Sequence, residues 1–379
     1  MGDFTERVKR KNKYNLSKLP LTISAKYGLV DQITFFNKIV ASRDMSNYYL
    51  LKKGEFAYNK SYSNDYPWGA IKRLDNYEQG VLSALYICFT TQDNVESDFI
   101  LQYFESPKWH KSVSEIAVEG ARNHGLLNIS VQDFFQTYHY VPKEKKEQTK
   151  IATLLHLIDE RISTQNKIIE DLKKLRSAIS KHLFERRDLL GTKIKLSKVA
   201  ELKNGYAFQS SKYNSLGEWK IITITNVTGE RYIKENDCNC ILEIPNDIQK
   251  HQKLKANDIL ISLTGNVGRV SLCTEGLFLL NQRVGLLQLK VSEDREYIYQ
   301  ALSSHKFENS MIACAQGVAQ MNIGKGDVEN YILPYSFNRK NISIVASILR
   351  AYDKYIINET NLQSILHIQK QYLLRQMFI

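Results

Sequence analysis

Polar and basic side chains gather in the turn-forming stretches of this sequence in a mixture able to read a nucleic acid. In the second half they are Gln209, Ser210, Ser211, Lys212 and Tyr213, then Thr264, Asn266 and Arg269, then Asn281, Gln282 and Arg283, and finally Gln316, Gln320 and Lys325. The first-half equivalents are Lys26, Tyr27, Lys60, Tyr62, Lys72, Arg73, Arg122, Asn123 and His124. Arginine can bind guanine through two parallel hydrogen bonds, and asparagine or glutamine can do the same for adenine, so these types suit direct base readout. Lysine and serine more often hold phosphate, which gives affinity without sequence information. Plainer roles compete at several positions. Gly265 and Gly268 suit hairpin geometry, Asn281 can satisfy buried backbone, His124 can be a structural hydrogen-bonding residue, and Tyr206 and Phe208 read as core.

No complete catalytic signature accompanies these residues. An adenine methyltransferase needs an Asn-Pro-Pro-Tyr-like loop to hold its base, yet all six prolines stand alone. An ATP motor needs a glycine-rich loop ending in Gly-Lys-Ser/Thr, whose amides cradle phosphate. The nearest stretch, Gly324-Lys325-Gly326, lacks both the upstream glycine and the hydroxyl residue. Cys238 and Cys240 with His251 would be half a metal site without its other ligands, and lone cysteines more often act as small buried hydrophobes. Five cysteines, an odd number without a C-x-x-C pair, argue against a disulfide framework. Nuclease carboxylate pairs are diffuse in sequence, so a single-chain DNA-modifying enzyme with a diverged site stays open as an alternative. So does a coiled-coil interaction scaffold that touches no DNA.

Composition narrows the class. The 52 Lys and Arg against 40 Asp and Glu give a net charge of +12, which favours a polyanionic partner. Nucleic acid is preferred to a membrane, because no apolar run approaches a spanning length. The 22 tyrosines suit surfaces that are both apolar and hydrogen-bonding. The first residues, MGDFTERVKRKNKYN, carry no apolar leader segment, which predicts a cytoplasmic protein.

The elements that must position these residues fall into a repeated order. ITFFNKIV, YYLLKKGEFAYN and VLSALYICFT read as short strands between Gly, Asn, Asp and Pro clusters. SDFILQYFESPKWHKSVSEIAV follows as a helical segment broken by Pro107. Then comes a long amphipathic stretch from Ile151 to Phe184, whose heptad a and d positions are Ile151, Leu155, Ile158, Ile162, Gln165, Ile169, Leu172, Arg176, Ile179 and Leu183. Eight of these ten are apolar, the pattern of a helix that pairs with another helix over about 50 Å. Similar material recurs afterwards. WKIITITNVT, KANDILISLTGN, RVGLLQLKV, a helical REYIYQALSSHKFENSMIA and a second long helix end the chain.

The recurrence is an internal repeat. At an offset of 194 residues the long helices align without a gap, pairing Ala152 with Ala346, Leu155 with Leu349, Asp159 with Asp353 and Gln165 with Glu359. NIS at Asn128 matches NIG at Asn322, and LKKGEFAYN matches LKANDILIS in pattern. The predicted fold is α+β: two globular domains of mixed strands and helices, joined by two long helices packed as an antiparallel coiled coil with pseudo-twofold symmetry. The boundaries fall at 1–142, 143–188, 189–337 and 338–379. DNA is itself pseudo-twofold, so two reading heads on a rigid spacer would read a split sequence.

With that architecture in hand, the sequence resembles the specificity subunit of type I restriction-modification systems. The resemblance rests on NGYAFQSSKY, the SLTGNVGRV and NQRVGLLQL pair, IATLLHLIDERI with its counterpart VASILRAYDKYI, TISAKYGLVDQ, and GEFAYNKSYSNDYPWGAIKRL. It covers nearly the whole chain, and departs at the start, where GDFTERVKRKN enters the first half late. The family implies a non-catalytic DNA-recognition subunit whose two target-recognition domains each bind half of a bipartite double-stranded target. It also implies partners: two modification (methyltransferase) subunits bringing S-adenosylmethionine, and two restriction subunits bringing ATP and Mg for translocation and cleavage. The helix pair would set the gap and dock these partners. Lys173, Lys174 and Arg176 would form a solvated face or meet a partner subunit or nucleic acid.

Overall fold

The computed structural model describes residues 1–25, 27–63, 66–117, 126–315 and 321–378. It divides into two units, Met1–Asn166 with Leu362–Ile379, and Lys167–Asn361. Both divisions fall inside the long helices.

In the first unit the elements are β1 (Thr5–Arg7), β2 (Leu21–Ser24), β3 (Gly28–Asp31), α1 (Gln32–Phe36), β4 (Tyr49–Lys52), β5 (Phe56–Asn59), β6 (Ala70–Arg73), β7 (Gln79–Leu82), β8 (Ile87–Thr91), α2 (Ser97–Glu105), α3 (His110–Ile116), α4 (Val131–Gln136) and α5 (Lys145–Glu185). An antiparallel sheet runs β1-β8-β5-β6, beside the ribbons β2-β3 and β4-β7. Because successive strand side chains face opposite sides, Phe56, Tyr58, Ile87 and Phe89 pack with α2, Trp109 and Phe134, while Ala57 and Cys88 face Val8, Leu21 and Leu74. Both faces of the sheet are therefore buried. The aromatic side is closely interlocked, with Tyr58 stacked on Phe134 at 5.1 Å.

One strand expectation fails here. Part of ITFFNKIV forms helix α1, because the Asp31 carboxylate accepts the Ile33 and Thr34 amides as an N-cap and Asn37, at φ 50°, ends the turn. Capping overrides the strand preference of its β-branched residues. Pro107 separates α2 from α3, as predicted.

In the second unit the elements are β9 (Thr192–Lys195), β10 (Ala200–Asn204), β11 (Trp219–Ile222), β12 (Asn239–Ile241), β13 (Ile259–Ser262), β14 (Val270–Leu272), β15 (Phe278–Leu280), β16 (Val284–Leu289), α6 (Arg295–Leu302), α7 (His305–Cys314), α8 (Lys325–Glu329), β17 (Ile332–Tyr335) and α9 (Arg339–Gln376). The main sheet runs β10-β16-β13-β14, beside β12-β11-β15 and the ribbon β17-β9. The order of this four-stranded sheet repeats that of the first unit's β1-β8-β5-β6 strand for strand. Ile259, Ile261 and Leu287 face α6, α7 and the long helices, and Leu260 and Leu286 face Ile222 and Phe278. Burial on both faces explains why ILIS reads as a continuous apolar run instead of an alternating one. Where β9 pairs with β17, the first unit has hydrogen bonds from the Met1 amino group to the Thr137 carbonyl and from Gly2 to Phe135, and no ribbon forms among the described residues.

The long helices contain 41 and 38 residues. Every a and d position named above is buried or half-buried, Gln165 included at 4% exposure. Within the first unit, Asn166 meets Gln363 and Asp159 meets Lys370. Seven residues back along α5 is thus seven forward along α9, so the pairing is antiparallel. Within the second unit Arg176 of α5 meets Asp353 of α9, and Leu183, Val345, Ala346 and Leu349 join one core.

Candidate nucleic-acid interface

Strand register brings several of the selected turns to one end of the second unit's main sheet. Asn204 pairs with Gly285, Ser262 with Val284, and Val270 with Ile261. The loop after β10, the β13–β14 hairpin and the β15–β16 turn therefore share a rim. Backbone hydrogen bonds tie these loops together: Gln282 N donates to the Tyr206 carbonyl at 3.0 Å, and Leu263 N to the Arg283 carbonyl at 2.9 Å. Gly205 is required there, because a Cβ would lie 2.1 Å from the Asn281 carbonyl oxygen. Gly265 and Gly268 take φ of 69° and 78°, so both serve hairpin geometry.

Of the second-half candidates, Asn266, Gln282 and Arg283 are exposed on this rim. Gln209, Ser210, Ser211 and Lys212 form an exposed turn, held outward by Phe208 and Tyr213, which pack against Ile221, Ile241 and Leu279. Tyr213 is thus partly a packing residue. Asn281 is 6% exposed, and its side-chain oxygen accepts the Arg283 amide at 3.1 Å. That is the backbone-satisfying role. Arg269 is half-buried, with Nε 3.5 Å from Glu308. The Thr264 hydroxyl is buried without a partner among the described residues. Lys325 is exposed but bonded to Glu201 at 2.7 Å, and hydrogen bonds from Lys203 and Lys325 pull the Glu201 carboxyl down to about 2.

The first unit uses several of its candidates internally. Lys72 is 9% exposed and bonds Glu105, and Arg73 bridges Asp75, Ser97 and Asp98. Both hold α2 against β6, because β6 sits beneath that helix. Lys60 donates to the Ile129 carbonyl at 3.2 Å. Tyr27 and Tyr62 are exposed at 60% and 47%. Lys26, Arg122, Asn123, His124, Gln316 and Gln320 lie outside the described residues.

Sequence reasoning missed Asn322 and Met321 on the second unit's rim. Thr264 bridges Asn322, Gly265 N donates to the Met321 carbonyl at 3.0 Å, and Ile323 N donates to the Leu263 carbonyl at 2.9 Å. In the sequence Asn322 stands out only through the NIS/NIG match, and nothing in a linear pattern shows which hairpin a segment will cross.

Away from the rim, a polar network joins α5, α6, α9 and the loop between β11 and β12. Asp353 accepts from Arg176 at 3.0 Å, Arg231 at 2.8 Å and Gln300 at 2.7 Å, and Arg231 also pairs with Glu296 at 2.6 Å. Burial works against the Arg231 charge, but Glu296 and Asp353 outweigh it and hold its pKa above the ordinary arginine value. A cleft of about 1090 Å³ opens beside this network, lined by Lys173, Ser180, Tyr232 and His305, and none of the rim residues lines it. Lys174 pairs along its own helix with Glu170. The first unit holds a reduced version, in which Asp159 accepts from Gln102 and Lys370. Among the described residues no cluster of three or more His, Cys, Asp or Glu could hold a metal ion, and no helix is long and apolar enough to cross a membrane.

Comparison with known proteins places this geometry. Residues 192–367 match the family model described as type I restriction modification DNA specificity domain. The specificity subunit of the type I restriction enzyme MjaVIII of Methanocaldococcus jannaschii is 24% identical over 284 residues, 68% of this chain and 64% of that protein. The match therefore spans just under two thirds of that relative's length. Among solved structures, the S subunit of a type I restriction-modification system from M. genitalium superposes with a TM-score of 0.57 at 16% identity, over 100% of this chain and 94% of its own. A chain from a structural study of complex assembly and conformational transition in the type I R-M system gives 0.60 at 15% identity, over 99% and 95%. These likenesses show a shared fold.

Proposed function

We propose that this chain, whose residues 192–367 match the type I restriction modification DNA specificity domain, is a type I specificity subunit that selects DNA sequence and performs no chemistry itself. Each unit reads one half of a bipartite double-stranded target. The paired helices set the gap and dock two modification subunits and two restriction subunits, which carry S-adenosylmethionine, ATP and Mg. The complex works in the cytoplasm. The observation that carries the reading is the convergence of Asn266, Gln282 and Arg283 on one rim of a doubly buried sheet, because base readout needs polar groups on a rigid support. The net charge of +12 supplies attraction to phosphate without specificity.

The test is selection of bound duplexes from a random pool by the reconstituted complex at two salt concentrations. A bipartite sequence should be enriched, and affinity should fall steeply with salt as counterion release weakens. An interaction scaffold would enrich nothing. A diverged single-chain enzyme would turn over DNA when the isolated chain is given S-adenosylmethionine and metal ions, and such turnover would refute this reading.

A further inference from the structure

Asn322 stands where the backbone of the rim is most firmly fixed. Hydrogen bonds flank it on both sides, from Gly265 N to the Met321 carbonyl and from Ile323 N to the Leu263 carbonyl, and Thr264 lies directly opposite across a bridge. Its side chain is exposed, and its carboxamide makes no hydrogen bond among the described residues. The Thr264 hydroxyl across from it is likewise without a partner there. A side chain that reads a base has to be pre-positioned to within about half an ångström, and this segment is braced in that way. Its amide is uncommitted among the described residues.

The first unit repeats the bracing with a different residue. Ser61 bridges Leu126, and Leu127 N donates to the Lys60 carbonyl at 2.9 Å, as Ile323 N does to Leu263. The pattern match of LKKGEFAYN to LKANDILIS places Ser61 level with Thr264 in the repeat, so Leu126 takes the place of Asn322 in the bridge, while Asn128, which the NIS/NIG match pairs with Asn322, lies two residues further on. The bridging position thus carries a carboxamide in one unit and an aliphatic side chain in the other, the first unit's carboxamide, Asn128, being exposed two residues beyond the bridge. Asparagine matches the donor and acceptor pair on the major-groove edge of adenine, whereas an aliphatic group can only meet an apolar patch such as the thymine methyl.

We infer that Asn322 is a specificity-determining residue that reads an adenine in the half-site of the second unit, and that Leu126 makes an apolar contact at the corresponding place in the other half-site. The inference rests on the DNA-reading function proposed above. Its test is duplex selection with the reconstituted complex carrying full-length wild type, Asn322→Leu or Asn322→Gln. For Asn322→Leu, one position of the second half-site should lose its adenine requirement, with about 5- to 100-fold weaker binding to the wild-type sequence, while the first half-site stays unchanged. That unchanged half-site also reports that the variant chain is folded. Asn322→Gln keeps the same donor and acceptor and should retain adenine preference at that position. Unchanged enrichment at every position in Asn322→Leu, or equal loss in both half-sites, overturns the inference while leaving the DNA-reading function in place. A wild-type complex that enriches no sequence overturns both.

Discussion

Arg176 donates to Asp353 at 3.0 Å, and one repeat away Lys370 donates to Asp159. The cation comes from one long helix and the carboxylate from the other in each unit. Each carboxylate also accepts from a glutamine on the helix packed beneath it, Gln300 or Gln102. The same three-part joint is therefore built twice, and it links helix pairing to the placement of the sheet that carries the candidate interface.

The two joints differ in burial, which ranks their importance. Asp353 has a side chain 9% exposed and neutralises two arginines, whereas Asp159 is 36% exposed and meets one lysine. Removing one partner of a buried ionic network leaves the rest uncompensated and costs about 3–5 kcal/mol. Asp353→Asn should lose about that much in urea unfolding of the full chain, and Asp159→Asn about 1 kcal/mol. Equal losses would mean that burial does not set the rank.

His139 should make the first unit acid-sensitive. Its ring lies between the Tyr103 hydroxyl at 2.8 Å and the Thr137 hydroxyl at 2.7 Å, and burial, aided by the nearby Met1 ammonium, lowers its pKa to about 3. The unfolded chain takes up a proton near pH 6.5 that the folded unit refuses, so stability is full above pH 6.5 and falls as the pH drops toward 3. Between pH 6.5 and 5 the loss is about 2 kcal/mol. Unfolding curves at these two pH values should show it, and His139→Gln should flatten the slope.

Neighbours on the rim should behave differently. Arg283 is exposed and Asn281 is buried. Arg283→Ala should relax one position of the second half-site in duplex selection and leave the first half-site intact. Asn281→Ala should instead cost about 1–2 kcal/mol of stability, because it leaves a buried amide unsatisfied, and it should weaken the entire second half-site. Selection combined with unfolding measurements separates the two, and a specificity change at one position in Asn281→Ala would reverse the assignment.

Legibility followed the range of the forces involved. The long helices could be read because heptad burial is periodic along the chain, and every chosen a and d position is indeed covered. The repeat could be read for the same reason. ITFFNKIV misled because a single capping aspartate, Asp31, outvotes strand preference over a few residues. Lys72 and Arg73 looked available because sequence does not show that Glu105 and Asp98, dozens of residues on, fold back over them. Asn322 was overlooked on the same grounds, since it gains its position only from crossing Leu263 and Gly265.

The helix pair as a ruler makes the sharpest demand. Inserting seven residues after Asn166 in α5 and seven after Asn361 in α9 keeps both heptads in phase and adds about 10.5 Å of helix. At 3.4 Å per base pair that is about three base pairs. The modified complex should select or methylate a target with the same two half-sites and a gap longer by about three. Inserting five residues after Asn166 in α5 alone should abolish paired recognition, because at about 100° per residue it turns the apolar seam roughly 140° away from its partner. Mapping methylated adenines in DNA from cells carrying each variant with its partners reads half-sites and gap together. An unchanged gap in the seven-residue variant would show that the helices dock partners without measuring distance.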